Sequence, residues 1–177
     1  MGRAKELFLK YNGNRFYMDR EGEGTEYDSY HISKETEEMW AEEYISCFLE
    51  SKIQGKEAYR SYSTVAELLK SDRQNKAWDL CLYYPLRAEH PDDVTKLYML
   101  QVSFRMAEKA VKKHRFSRED AEAYLQELDR YIQLVQDRAE KGTLTRSPDY
   151  TMQEFTDPVY ITDYLHSLVM KWNGLFY

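Results

Sequence analysis

Cysteine is scarce in this chain: two residues, Cys47 and Cys81, among 177. One pair cannot make the multiply bridged framework of a small secreted domain, and both thiols sit in apolar, helix-patterned segments, so buried reduced cysteines are expected. Proline and glycine are also few, four and seven residues, which excludes collagen-like and low-complexity classes. No run of eighteen apolar residues occurs, and Met1 to Lys10 hold no apolar stretch of signal-peptide length. Neither a membrane-spanning helix nor a leader is therefore expected. With no Asn-x-Ser/Thr acceptor either, a cytoplasmic location is the expectation.

Local chemical signatures are equally sparse. The chain has no Gly-x-Ser-x-Gly elbow, no Gly-x-Gly-x-x-Gly and no Gly-x-x-x-x-Gly-Lys, which removes the glycine-rich cradles and nucleophile turns that a single motif can announce. Asp163 and His166 stand three residues apart, the spacing that helical di-iron sites use, but such sites need a second pair. Asp28 and His31 share that spacing but fall in a stretch read as a loop, and His90 and His114 lack an acid three residues ahead. The carboxylate pairs Glu35/Glu38, Glu38/Glu42 and Glu119/Glu122 lie on polar faces, where nothing separates their pKa values for acid and base roles. The sequence assigns no catalytic residue, no metal ligand and no cofactor.

What is present suits a folded helical protein. Hydrophobic residues make up 42% and charged residues 32% of the chain, well above the apolar content of a disordered segment. A chain of this length fits one domain that buries roughly two-thirds of its surface. Sixteen tyrosines bring large rings whose hydroxyls need water or a partner. The net charge of −6 opposes binding to nucleic acid and to anionic membranes.

Along the chain, Leu7-Phe8-Leu9 and Phe16-Tyr17-Met18 flank Asn12-Gly13-Asn14, which predicts a β-hairpin over 6–20 with a positive-φ turn. Residues 21–32 are acidic and glycine-bearing and predict a loop. A helical bundle over 33–172 follows. Ser33 is a candidate N-cap for a helix over 34–52 carrying Met39, Trp40, Tyr44, Cys47 and Phe48, and Gly55 interrupts it. Thr64 to Glu67 has the pattern of a capping box for a short helix ending near Ser71, and another short helix spans 73–84 up to Pro85. Pro91 fits the first turn of a helix reaching Lys113, apolar on most sides and so placed centrally.

Ser117 caps a long amphipathic helix that stops at Gly142, and Pro158 opens a last helix closed by Asn173-Gly174. Between them, 143–157 predicts a polar crossing pinned by Tyr150, Met152 and Phe155. The short link at 115–117 makes 92–141 an antiparallel helical hairpin. The fold class expected is mainly α: one domain of five to six helices with a short N-terminal β-hairpin.

Three functional readings follow, in the order the residues favour them. The first is a non-enzymatic protein-binding or regulatory module that uses the hairpin and acidic loop. Its contact set is Arg15, Tyr17, Arg20, Tyr27, Tyr30 and His31, and its partner is another protein or a second copy in a homodimer. The second is an enzyme or small-ligand binder with an inter-helix pocket drawing on Trp40, Trp78, Tyr98 or His166. The third is nucleic-acid binding through a basic edge over 105–118, carried by Lys109, Lys112, Lys113 and Arg115. The structural alternative for that edge is complementation of a helix C-terminus, with the acidic first helix lying against it.

Overall fold

A computed structural model describes residues 2–69, 77–150 and 155–175. Among these residues there are nine helices and no strand: α1 (Gly2–Lys10), α2 (Arg15–Arg20), α3 (Gly24–Ser29), α4 (Lys34–Glu50), α5 (Gly55–Leu68), α6 (Ala77–Arg87), α7 (Asp93–Lys112), α8 (Arg118–Glu140) and α9 (Pro158–Asn173). The mainly α class holds. The β-hairpin over 6–20 and the acidic loop over 21–32 do not, because that stretch forms α1, α2 and α3.

The reason lies in spacing and in one turn. Ala4, Leu7 and Phe8 recur at i, i+3 and i+4 and are all buried, a helical stripe that a reading of Leu7 to Leu9 as a strand overlooks. Asn12 and Gly13 do adopt positive φ, 53° and 65°, but they close a helix instead of reversing a strand. The Gly13 amide donates to the Phe8 carbonyl at 2.8 Å and the Asn12 amide to Leu9 at 3.2 Å, the paired bonds of a Schellman ending. Asn14 then caps α2 by accepting from the Tyr17 amide. The same ending, with its residue at positive φ, closes α2 at Gly22, α7 at His114 and α8 at Gly142.

The longer helices begin at side chains built for the purpose. Ser33 accepts from the Thr36 amide, Asp92 from Thr95, and Asp157 from Val159, with Pro158 in the first turn. Ser117 and Asp120 form a reciprocal capping box. Several sequence expectations move. Thr64 to Glu67 lies inside α5, which starts nine residues before Thr64, at Gly55. Its apolar run Ala58, Tyr62, Val65 and Ala66 is buried. Ser71 and Met152 lie outside the described residues. Pro91 precedes the α7 cap, and Cys47 is exposed because Trp40, Ile45 and Phe48 define the buried side of α4.

Pro85 sits within α6 instead of ending it. A proline has no amide to offer the carbonyl four residues back, which is that of Cys81. The Tyr62 hydroxyl, reaching from α5, donates to that carbonyl at 2.7 Å and lies 2.7 Å from the Ser103 hydroxyl of α7. One tyrosine thus replaces the missing helix bond and joins three helices at their centre.

Helix α7 is buried on most sides. It packs closest on α5 and α6, and α8 packs on α9, so the expected α7–α8 hairpin is not the tightest pair. The short helices α1 and α3 touch, and α1 rests on α4 with Phe8 and Trp40 at 5.8 Å between ring centres. No helix among the described residues is long and apolar enough to cross a membrane.

Candidate functional site

The N-terminal helices are tied together by charge. Arg3 of α1 reaches Glu6, Glu23 and Glu26 at 3.0 to 3.1 Å, Lys10 meets Glu23 at 2.6 Å, and the Tyr11 hydroxyl donates to Glu23. The Lys10 ammonium, then Tyr11 and Arg3, hold the Glu23 carboxyl down at about 2. Arg3, followed by the Tyr30 hydroxyl, lowers Glu26. Lys5 pairs with Glu43 of α4 at 2.6 Å. Much of the acidic stretch over 19–43 is therefore answered by cations that precede it in sequence.

The six contact residues expected from the sequence divide. Tyr27 is buried, its hydroxyl donates to Glu37 at 2.7 Å, and burial pushes its pKa up. It belongs to the core of this cap. Arg15 pairs with Asp28 and lies 4.9 Å over the Tyr27 ring. With Asp28, His31, Ile32 and Glu37 these two line one shallow cleft. Tyr17 and Arg20 line another with Lys10, Tyr11, Asn12 and Glu21. Tyr30 donates to Glu26 at 3.0 Å, and His31, at φ 48°, ends α3.

One residue outside that set stands out. Phe16 is 68% exposed beside Tyr17 at 44%, their rings edge to face with centres 5.6 Å apart. The Arg20 guanidinium lies 5.0 Å over the Tyr17 ring. Met18 takes the inward position on α2, and the helical turn carries Phe16 away from it. As a strand, 16 and 18 would share a face, which is why the hairpin pattern hides Phe16.

The basic edge lies over the end of α7. Lys109 pairs with Glu67 of α5 at 2.9 Å and Lys112 with Glu108 at 2.9 Å, while Lys113 and Arg115 are exposed at the turn into α8. The carboxylates that meet Lys109 and Lys112 come from α5 and from α7 itself; α4 packs on α1 and α5. The residues named for an inter-helix pocket are not brought together. Trp40 packs on Phe8, Trp78 is buried beside Phe116, Tyr98 stacks on Tyr150, and His166 is exposed with Asp163 on the outer side of α9.

A second polar arrangement, with no local sequence motif, lies where α7 begins. Asp92 accepts from the Thr95 amide at 3.0 Å and hydroxyl at 2.6 Å and from the Gly55 amide at 3.3 Å. Asp93, 2% exposed, accepts from Arg138 of α8 at 2.6 Å and from the Thr145 amide and hydroxyl at 2.8 and 2.9 Å. Gly55, at φ +61°, lies so close to Ser147 and Asp149 that an added Cβ would stand 2.4 Å from an oxygen of each. Lys96 is 9% exposed in the same neighbourhood. Burial lowers its pKa, Asp93 opposes that, and Arg138 adds to it.

Comparison of the chain with family models, with curated proteins and with solved structures gives no match.

Proposed function

We propose that this chain is a protein-binding module whose contact surface is the N-terminal cap, centred on Phe16 and Tyr17 of α2 with Arg20 beside them. The observation that carries this reading is the adjacent exposed ring pair with a guanidinium over one ring. Aromatic residues and arginine supply most anchors at protein interfaces, since they offer large rigid area with a polar edge. The cap is held by the Arg3 and Glu23 pairings, so the anchors are presented with little ordering cost. Charged and polar residues around them, Lys10, Asn12 and Glu21, make a rim. The interaction is non-enzymatic in this reading, and its partner is another protein.

The test places a photo-crosslinking side chain at position 16, and separately at 170, where Met170 is equally exposed on α9. In the cells that make the protein, position 16 is expected to give a discrete cross-linked species that Tyr17→Ser together with Arg20→Glu abolishes. Thermal melting of that variant should be unchanged. Identical cross-linking from both positions would overturn the reading. A cross-linked species that is this chain itself assigns the surface to a homodimer.

A further inference from the structure

The outer side of α9 carries a pattern that packing within the chain does not use. Ile161, Leu165, Leu168 and Trp172 are buried, while Val159, Asp163, His166 and Met170 are exposed. At 3.6 residues per turn these four fall within about 60° of one another, on the side opposite the buried set. Their steps of four, three and four along the chain are those of a heptad seam, the stripe by which one helix packs on another. Val159 at 67% and Met170 at 74% are, with Phe16, the most exposed large apolar side chains among the described residues.

The order of the four residues along that seam specifies what covers it. They are symmetric in kind about the point midway between Tyr164 and Leu165: apolar, acid, imidazole, apolar. A two-fold axis at that point lays a second α9 antiparallel on the first. Asp163 then meets His166 of the second copy, and Val159 meets Met170 of the second copy, each contact made twice as an isologous interface requires. An imidazole N–H donates to the carboxylate, and the apolar pairs close over both ends of that polar centre. Parallel packing would set Asp163 on Asp163 and His166 on His166, so charge selects the antiparallel order. That order also brings the positive end of each helix dipole to the negative end of the other. Thr162 and Ser167, on the two sides of the seam, are small enough for the helices to approach closely.

We propose that the outer face of α9 is a self-association surface, on which a second copy of this chain docks its own α9 antiparallel. A helix of 16 residues is about 24 Å long, and one such face buries less than the roughly 1,600 Å² of a standard stable interface. The dimer is therefore weak and concentration-dependent. It uses no residue of the α2 surface, so the two readings stand or fall separately: cross-linking from position 170 captures this chain, and cross-linking from position 16 captures another protein.

The experiment is sedimentation equilibrium of the folded full-length chain from micromolar to submillimolar concentration, with EDTA present so that no metal bridges His166. Reversible dimerisation is expected. His166→Asp sets carboxylate against carboxylate at both reciprocal contacts, and Met170→Lys puts a cation into the apolar pairs. Each should weaken the dimer about ten-fold or more with helical content unchanged. Asp163→His combined with His166→Asp should restore most of the lost affinity, because the pairs are exchanged and not removed. The register is read by mixing Val159→Cys and Met170→Cys chains, each also carrying Cys47→Ser because Cys47 is exposed, and oxidising them. Disulfides joining 159 to 170 should outnumber those joining like positions. A chain that stays monomeric throughout, or a dimer indifferent to His166→Asp and Met170→Lys, would overturn the proposal. Failure of the exchanged pair to restore association, or a majority of disulfides between like positions, would overturn the antiparallel order.

Discussion

Gly55 shows how much a single position can hold. Its φ of +61° is a conformation L side chains rarely adopt, and the space where a Cβ would lie is taken by Ser147 and Asp149. Its amide also donates to Asp92. Gly55→Ala is expected to cost about 2–3 kcal/mol, from backbone strain and displacement of the 147–149 segment, measured as a lower midpoint in denaturant melts. The glycine was visible in the sequence as an interruption. What presses against it was not, because the partners lie more than ninety residues away and no local pattern encodes that approach.

The helices themselves were legible where the chain carries start signals and a sustained stripe. Ser33, Ser117 and Pro158 mark α4, α8 and α9 correctly, and the apolar repeats of α7 place it at the centre. The N-terminal elements were misread because six- and nine-residue helices are too short for periodicity to outweigh an Asn-Gly pair that serves hairpins and helix endings alike.

That cap also carries an acid-sensitive contact. Glu23 has its pKa depressed from 4.5 to about 2, so the stability it contributes is complete above 4.5 and is lost as pH falls toward about 2. Hydrogen exchange in α1 and α3 is expected to accelerate across that window before exchange in α7 does, and Glu23→Gln should reduce the step, with Glu26 supplying the remainder. In α6, Tyr62→Phe deletes the donor that serves the Cys81 carbonyl. A cost of about 1–3 kcal/mol is expected for leaving a buried acceptor unmet, read from equilibrium unfolding. Adding Pro85→Ala, which returns an amide to α6, should recover part of it.

At the level of the whole molecule, distant segments are fastened by a few polar groups set into an aromatic interior. Asp93 alone links the start of α7, the end of α8 through Arg138, and the 143–150 connection through Thr145. Arg138→Met leaves that carboxylate buried without its cation, and a loss of about 2–3 kcal/mol is expected, somewhat below the full value for a buried pair because the arginine is partly open to solvent. Urea melts of the variant check this. The sequence foretold a helical body. It did not foretell which carboxylate would fasten the connection after α8, since Thr145 lies 52 residues from Asp93. Trp172, finally, is enclosed by Phe104, Phe116 and Tyr124, with the Tyr124 ring nearly parallel at 4.3 Å. Light absorbed by that phenol passes to the indole at such a separation, so the share of tyrosine excitation that emerges as Trp172 emission should fall when α8 and α9 part, giving the chain an optical gauge of its own assembly that needs no added dye.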